Sequence, residues 1–389
     1  MSMKGLFSGA VRAVAGGRNT TFIPRVCFSN RVFKATSSWG RPGRLTSSSL
    51  PRPGHFSCSS LPRPGRLTSS SLPRPGHFIC YSLPSRSLVQ IHGQDTSAFL
   101  QGIITNDMNL LGEGRQRSLY AHMLNVKGRT LYDVIIYSLS ESSADLNSIV
   151  LECDSSLLGA VVQHLTMYKI RRRVTVNTCA DLSLWALLPQ ETRSASQQLK
   201  PEPTSAEKAL VLVEDPRTDL MGWRLVARNS ENPPDFIAAC QQGDPDEYHS
   251  HRYKIGLPEG ARDLPPGEAL PLESNLVFMN GISFSKGCYL GQELTARTHH
   301  TGVVRKRLVP VRLSSPVENL QAGAELRSPG DKPVGKYRAG LGRVGLGLVR
   351  TAHTDETLRL ASSQDRTVTL EVSVPDWWPE DTKSEYCKR

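Results

Sequence analysis

The sequence predicts an α+β fold that is preceded by a disordered leader and ends in a small antiparallel β-barrel. Three observations lead to this prediction. The first 94 of the 389 residues lack Asp and Glu and are rich in Ser, Pro and Gly, a composition that cannot build a packed core. Strand-like and helix-like apolar patterns then follow without regular alternation, which favours α+β. The C-terminal part consists of strand-like runs separated by turns, as in small barrels.

The start of the leader has the composition of a mitochondrial presequence. Its basic residues are spaced among small, hydroxyl and apolar residues. The apolar stretch from Gly9 to Gly17 is short and is interrupted by Arg12, so it does not resemble the core of a secretory signal. We therefore expect the protein to reside in the mitochondrial matrix.

A tandem repeat follows the presequence. Residues 41–62 return almost unchanged at 63–84, and two Pro-rich copies with few apolar residues cannot stack into a core. We therefore assign residues 1–86 to the presequence and a disordered Pro-, Ser- and Arg-rich repeat, and we expect folding to begin near Ser87.

The charge distribution argues against a nucleic-acid partner. The formal net charge is +11, but 13 of the 47 Lys and Arg lie in the acid-free first 94 residues. The 34 remaining basic residues face 36 acidic ones, so the folded part is about neutral. The sequence contains no stretch of about 20 apolar residues, and we expect no membrane insertion.

Strands are predicted from local apolar patterns. Ser87–Gly93 alternates between apolar and polar residues and predicts the first strand. Further strands are predicted at residues 117–124, 129–139, 149–152, 174–176, 209–213 and 222–227. The runs 117–124 and 129–139 flank the segment Asn125–Gly128, whose sequence is typical of a hairpin turn.

Acidic residues predict the starts of three helices. Asp95, Asp154 and Asp246 each precede a helical pattern, and each is a residue type that caps helix amino ends. The polar segment 190–207 predicts a surface loop. Beyond residue 300 the strand-like runs are 303–313, 341–350 and 367–374. We therefore divide the chain after the leader into an α+β region, a barrel and a tail, at residues 87–300, 301–379 and 380–389.

The cysteine pattern excludes two common kinds of site. The eight cysteines contain no CxxC pair, so neither a zinc knuckle nor a redox dithiol is predicted. Scattered cysteines in a soluble chain favour free thiols in a reducing compartment.

The segment Phe284–Gly302 contains the most informative of these cysteines, Cys288. We predict a helix from Tyr289 to about Arg297, which places Cys288 at its amino end, where backbone N–H groups favour a thiolate. Lys286 adds positive charge, and the glycines at 287 and 291 leave the sulfur open to a large partner. These features predict a reactive or metal-ligating thiol.

Two alternatives to this interpretation remain open. Cys288 is a buried small hydrophobe, as many single cysteines are, or it is the nucleophile of a cysteine hydrolase with His299 or His300 as base. The roles of the two histidines are open, since polar turn residues have the same appearance.

The residues around Cys288 carry a family resemblance. The run Arg252–Arg307 contains the signature K-G-C-Y-x-G-Q-E and resembles the YgfZ-type family, in which it is most similar to the mitochondrial iron-sulfur cluster assembly factors. The upstream segment Phe99–Asp107 also resembles that family. The likeness covers residues from Ser87 to Pro379.

The resemblance implies a fold, and it raises the question of whether the protein binds a folate. The fold is the three-lobed, folate-binding fold of the glycine-cleavage aminomethyltransferase, with three lobes around a central opening. In those enzymes the hairpin that matches Lys127–Val134 ends in paired acids, whereas this sequence has Tyr132 and Asp133. Asp133 is therefore a candidate folate-site residue, and tetrahydrofolate is a candidate ligand. The incomplete pair argues against classical turnover, and we assign no catalytic residue. Asp133 facing solvent at a strand end is the alternative.

The resemblance also implies an activity. It implies a late step in the maturation of four-iron (4Fe-4S) proteins, with A-type carrier proteins as partners, aconitase and lipoate synthase as clients, and a link to haem biosynthesis. Because a cluster ordinarily takes four thiolates, Cys288 would share a 2Fe-2S cluster with a partner. The other motif residues would orient the docking surface or the surroundings of the ligand, with capping or solvation of the helix as the alternative: Lys286, Gly287, Tyr289, Gly291, Gln292, Glu293 and Arg297. A folate-dependent aminomethyltransferase and a binding-only protein are the alternative functions.

Overall fold

The computed structural model describes residues 77–112, 116–139, 147–190, 200–317, 320–354, 356–361 and 368–380. The expected disorder of the leader and repeat up to residue 76, residues 191–199 of the predicted loop at 190–207 and the tail from 381 lie outside these residues. None of the helices in the described ranges is long and apolar enough to cross a membrane.

Strands dominate the described chain. In chain order they are β1 Phe78–Ser82, β2 Arg86–His92, β3 Ser118–Leu124, β4 Thr130–Ser138, β5 Ser148–Asp154, β6 Thr175–Thr178, β7 Leu182–Pro189, β8 Val211–Glu214, β9 Trp223–Arg228, β10 Cys240–Gln242, β11 Lys306–Leu313, β12 Glu325–Arg327, β13 Pro333–Leu341, β14 Val344–Arg350, β15 Thr357–Leu360 and β16 Thr369–Val372. The helices are α1 Thr96–Gln101, α2 Asn109–Gly112, α3 Leu158–Tyr168, α4 Pro233–Phe236, α5 Pro245–Ile255, α6 Gly260–Asp263 and α7 Gln292–Thr301.

These strands form two five-stranded sheets and one closed barrel. The first sheet has the order β10-β1-β7-β9-β8, the second β3-β4-β5-β2-β6, and the barrel β11-β14-β13-β12-β15-β16. The two sheets share one apolar core, in which Tyr81 and Val226 of the first pack with Ile135 and Tyr137 of the second. The predicted α+β class and C-terminal antiparallel barrel are therefore confirmed.

Strand β1 corrects the predicted end of the leader. It lies between β10 and β7, although the sequence places these residues in the disordered repeat. The side chains of Phe78, Cys80, Tyr81 and Leu83 are all buried. The predicted boundary at residue 86 is wrong, because the end of the second repeat copy supplies an inner strand of the first sheet.

The predicted hairpin at Asn125 is confirmed. Strands β3 and β4 flank the turn, Asn125 Oδ1 accepts hydrogen bonds from the backbone N–H groups of Lys127 and Arg129 at 2.9 and 3.1 Å, and Gly128 has φ +74°. An Asn that bonds its own turn and a Gly with positive φ are the usual stabilisers of such turns. The turn therefore fixes the register of β3 on β4.

The three predicted helix caps have different outcomes. Asp154 caps as predicted, since its carboxylate accepts from Ser156 N at 2.8 Å. Asp95 precedes α1 but makes no capping bond, and it accepts instead from Arg173 N at 2.8 Å. The cap of α5 is Asp244, which accepts from the N–H of Asp246 at 2.9 Å, so the prediction of Asp246 was wrong by two residues.

Candidate functional site

Cys288 lies on an exposed loop that precedes α7. The helix begins at Gln292 and not at the predicted Tyr289, so the predicted place of Cys288 at the amino end of a helix is wrong. The backbone N–H of Tyr289 donates to Gln292 Oε1 at 3.0 Å, and the N–H of Leu290 donates to Gly102 O at 2.9 Å. Because both groups have partners in an irregular conformation, the helix starts only after them.

The Cys288 loop is attached to the segment that follows α1. Ser283 N donates to Thr105 O at 3.1 Å on one side of the loop, and Leu290 N donates to Gly102 O at 2.9 Å on the other. Thr105 Oγ1 also donates to Gly281 O at 2.6 Å. The two segments that carry the sequence resemblance therefore contact each other, and the loop around Cys288 is held at both ends.

Lys286 forms the centre of this attachment. Its ammonium donates to the backbone oxygens of Gln101, Ile104 and Asn106 at 2.8, 2.9 and 2.6 Å. Burial lowers the pKa of Lys286 to about 8, and the charge of Asp107 counteracts part of that effect. Since all three donors of the ammonium are engaged, Lys286 offers no free donor to a partner, and it can influence a docking surface only by orienting the loop, as the sequence suggested. The residue positions the loop.

Glycines at the loop have two different roles. Gly291 has φ +77°, and a side chain there would overlap the carbonyl oxygen of Asn125 in the hairpin turn. Gly128 of the hairpin turn faces Gly291 and also has a positive φ. A Cβ atom at Gly128 would lie only 2.9 Å from the carbonyl oxygen of Gly291. Gly287 is exposed, and a Cβ there would contact nothing within 4 Å. Gly291 therefore permits close packing on the hairpin, whereas Gly287 leaves open space beside Cys288.

The remaining motif residues divide between support and surface. Tyr289 is buried, and Gln292 accepts from its N–H, so both support the loop, which is one of the roles that the sequence suggested for them. Glu293 and Arg297 face solvent, and their side chains are 90% and 66% exposed. Arg297 Nη1 lies 4.0 Å from Glu293 Oε1. The motif residues that remain exposed are therefore Gly287, Glu293 and Arg297, together with Cys288 itself.

The two histidines lie at the carboxyl end of α7. The ring of His299 stacks on Phe284, with centroids 3.6 Å apart and planes 6° from parallel. Burial and neighbouring His300 lower the pKa of His299. In the parts of the chain that the structure describes, neither histidine bonds to Cys288, so the geometry offers no support for a cysteine hydrolase. The stack joins the start of the loop to the end of the helix.

Cys288 differs from the other described cysteines in exposure. Cys80 and Cys153 are buried, Cys179 and Cys240 are partly buried, and all five thiols are free. The alternative that Cys288 is a buried hydrophobe is therefore wrong. Across the described ranges no group of three or more His, Cys, Asp or Glu could hold a metal ion. Cys288 thus presents one open sulfur without further ligands from its own described residues.

Asp133 is buried in an ion pair and does not face solvent. Its side chain is 3% exposed, and Arg86 Nη1 donates to its carboxylate at 3.1 Å. Arg86 Nε also donates to Glu152 Oε1 at 2.7 Å, and the Tyr137 hydroxyl donates to the other oxygen of Glu152. The alternative of a solvent-facing strand-end residue is wrong, because Asp133 belongs to a buried network of charges.

This buried network continues into the first sheet. Arg224 Nε donates to Asp215 Oδ2 at 3.0 Å, and Arg224 Nη2 donates to Glu259 Oε2 at 2.8 Å. Burial opposes ionisation of both carboxyl groups, yet Arg217 and Arg224 outweigh it and hold the pKa of Asp215 low and that of Glu259 well below its ordinary value. This stabilisation is present above an unfolded pKa of about 4 and is lost as pH falls through the lower folded values.

Replacing Arg224 by Met is expected to lower the free energy of unfolding by about 3–5 kcal/mol, because it leaves Asp215 and Glu259 buried with one arginine fewer. Arg228→Met on the same strand is the control, since Arg228 is exposed. Urea unfolding at neutral pH measures both variants. Equal stability of the two would show that the network contributes nothing to folding.

The structure offers a poor fit for a folate at the predicted place. The Asp133 carboxylate is engaged by Arg86 and is not free to bind a ligand. A nearby cavity of about 200 Å³ is lined by residues that include Arg86, Arg252 and Glu259. Sites for drug-sized ligands measure roughly 300–1,000 Å³, so this cavity is too small for a whole folate. In this structure the Asp133 carboxylate is therefore not available to a folate.

The charged network was missed by sequence reasoning. Glu152 and Arg224 each lie within a mostly apolar strand, and a charge within such a run is the signal that could have revealed them. The signal shows only that a charge is buried. It does not identify the partner, because Arg86 and Asp133 are 47 residues apart.

Comparisons with known proteins agree with this architecture. The CAF17 C-terminal β-barrel domain model matches residues 305–380. A crystal structure of the glycine cleavage system aminomethyltransferase T from Bartonella henselae aligns with a TM-score of 0.59 at 16% identity, over 78% of this chain and 86% of that one. At this identity the similarity concerns the fold alone, and it confirms the predicted aminomethyltransferase-like fold.

Curated relatives extend the similarity to sequence. The mitochondrial iron-sulfur cluster assembly factor IBA57 of Mus musculus is 48% identical over 307 residues, which cover 77% of this chain and 85% of the relative. The Homo sapiens protein of the same name is 47% identical over 306 residues, with 77% and 85% covered. These matches confirm the predicted resemblance and the mitochondrial location. The chain belongs to the IBA57 family of mitochondrial iron-sulfur cluster assembly factors.

Proposed function

We propose that this mitochondrial iron-sulfur cluster assembly factor acts late, in the maturation of 4Fe-4S proteins, by sharing a 2Fe-2S cluster with an A-type carrier through Cys288. The observation that carries the proposal is the exposed thiol of Cys288 on an anchored loop. Matrix enzymes such as aconitase and lipoate synthase are the proposed clients. Haem biosynthesis would depend on the same supply of clusters.

The number of ligands supports a shared cluster. An iron-sulfur cluster ordinarily takes four thiolates, and the loop supplies one. Within the described ranges Cys288 belongs to no group of three or more His, Cys, Asp or Glu that could hold a metal ion. A partner with its own thiolates would complete the set, and the open space at Gly287 gives that partner access to the sulfur.

The attachment of the loop supports a ligand role as well. A metal ligand binds better when its geometry is fixed in advance by surrounding contacts. Lys286 and the bonds to Gly102 and Thr105 hold the loop without using the sulfur. The side chain of Cys288 is therefore free to bind while its backbone is held in place.

We propose no folate-dependent transfer for this chain, although the fold is that of an aminomethyltransferase. Similar folds host unrelated functions, and function has to be argued from the site. The one carboxylate that remains of the acid pair, Asp133, is bound to Arg86 inside the protein. The protein is therefore expected to release no ammonia from an aminomethylated carrier in the presence of tetrahydrofolate.

Cluster reconstitution tests the proposal. The reduced protein, an A-type carrier and their mixture are each supplied with iron and sulfide, and the visible absorption and circular dichroism spectra are recorded. We expect the mixture to give a spectrum that is not the sum of the separate spectra, and to activate apo-aconitase faster than the carrier alone. A mixture spectrum equal to that sum would contradict a shared cluster.

A further inference from the structure

The hairpin turn Asn125–Gly128 lies directly beside the Cys288 loop. Gly128 and Gly291 approach each other so closely that neither position has room for a side chain. Gly291 is three residues beyond Cys288, a separation that an extended chain spans in at most about 11 Å. A standard interface of about 800 Å² per partner has a radius of roughly 16 Å. A partner of that size whose interface is centred on the sulfur of Cys288 therefore also reaches the hairpin turn.

The tip of this hairpin exposes an apolar side chain without a role in the fold. Val126 is 74% exposed, and it is one of four large hydrophobic residues with high exposure among those that the structure describes, with Met167, Ile170 and Val303. Turns of this kind favour Gly, Asn, Asp, Ser and Pro, so a valine is not required by the backbone. The hydrogen bonds of Asn125 hold the turn without any contribution from the side chain of Val126.

The charge beside Val126 indicates what kind of partner fits. Lys127 is exposed, and no described acidic side chain forms an ion pair with it. Arg297 on α7 is also exposed, but Glu293 lies 4.0 Å from it and offsets its charge, whereas no such partner among the described residues offsets the charge of Lys127. A 2Fe-2S cluster bound by thiolates carries net negative charge. A cation next to the ligand loop therefore attracts a partner that brings such a cluster, and the apolar tip supplies contact area that the small polar loop lacks.

We infer that Val126 and Lys127, at the tip of the β3–β4 hairpin, form the docking surface for the protein that supplies the remaining thiolates of the cluster at Cys288. This inference rests on the proposed function and adds to it the place where the partner binds. Val126 packs in an apolar depression of that partner, and Lys127 faces the acidic rim around its cysteines.

Binding of an A-type carrier to matched variants tests the docking surface. Val126→Asn removes the apolar group in a residue type that turns accept, and Ile170→Asn, at a side chain 72% exposed beyond the end of α3, is the control. We expect Val126→Asn to weaken binding about tenfold, as for loss of one interface anchor. Lys127→Glu is expected to slow association, by a factor that shrinks as salt is added. Ile170→Asn and the wild type are expected to bind equally.

Melting temperatures and the Cys288→Ser variant complete the experiment. All variants are expected to melt as the wild type does, because each altered side chain is exposed. If Val126→Asn and Ile170→Asn bind the carrier equally, the docking surface is wrong while cluster sharing stands. If Val126→Asn weakens binding but Cys288→Ser still forms the shared cluster, the ligand role is wrong and the docking surface stands. Absence of any binding to the wild type overturns both.

Discussion

Deletion of residues 41–84 is expected to prevent folding, whereas deletion of 41–76 is expected to leave the melting temperature unchanged. The two variants differ by eight residues that include β1, Phe78–Ser82. This strand pairs with β7 along its whole length and with β10 on its other side. Without it, β10 has no partner strand in the described sheet and β7 becomes an exposed edge.

The size of the effect follows from burial. Phe78, Cys80, Tyr81 and Leu83 are each no more than 5% exposed. Complete burial of a large apolar side chain contributes about 1.5–3 kcal/mol. The combined contribution of Phe78, Tyr81 and Leu83 therefore approaches the entire net stability of a domain, which is roughly 5–15 kcal/mol. The loss of the strand also exposes a sheet edge that favours aggregation.

Differential scanning calorimetry and soluble yield measure the outcome of both deletions. A variant without 41–84 that melts within a few degrees of the full chain would show that β1 adds nothing to the sheet.

The position of β1 also restricts where the presequence can be cleaved, because the mature chain has to keep this strand. We expect presequence cleavage to occur before His77, and amino-terminal sequencing of the protein from mitochondria checks this.

The failure to predict β1 from sequence has a specific cause. The two repeat copies are nearly identical, and the Pro-rich surroundings make both look like linker. The copies differ at two places within the strand, where Ser57 and Ser59 of the first are matched by Ile79 and Tyr81 of the second. Ile79 is partly buried and Tyr81 is buried in the shared core. The exchange of two serines for Ile79 and Tyr81, two positions apart, was therefore the signal in the sequence that indicated a strand.

Local features of the fold were predictable, and long-range ones were not. The turn at Asn125 could be identified because Asn and Gly stabilise it through their own backbone geometry. The role of Lys286 could not, since the carbonyl oxygens that it binds are at least 180 residues away in sequence. The sequence motif marked the residues around Cys288 as a group. Only the contacts show which of them support the loop and which face solvent.

Replacing Cys288 by Ser is expected to abolish cluster sharing and to leave the melting temperature unchanged. The thiol is exposed, and the bonds that hold the loop come from Lys286, Leu290 and Ser283. Serine is close in size and leaves those bonds intact, but its neutral hydroxyl is a much poorer ligand for iron than a thiolate. The absorbance of the mixed cluster and the melting temperature are measured on the same sample of protein and A-type carrier.

Cys153→Ser is the matched control, because it makes the same chemical change at a buried position. Cys153 is fully buried in the core of the second sheet, and burial raises the pKa of its thiol to about 12, so it is a poor ligand at neutral pH. A hydroxyl there without hydrogen bonds costs about 1–3 kcal/mol of stability, while the folded fraction should still share the cluster. A Cys288→Ser protein that melts normally and still shares the cluster would exclude Cys288 as its ligand. The two variants are thus expected to behave in opposite ways, since one change removes a ligand and the other disturbs packing.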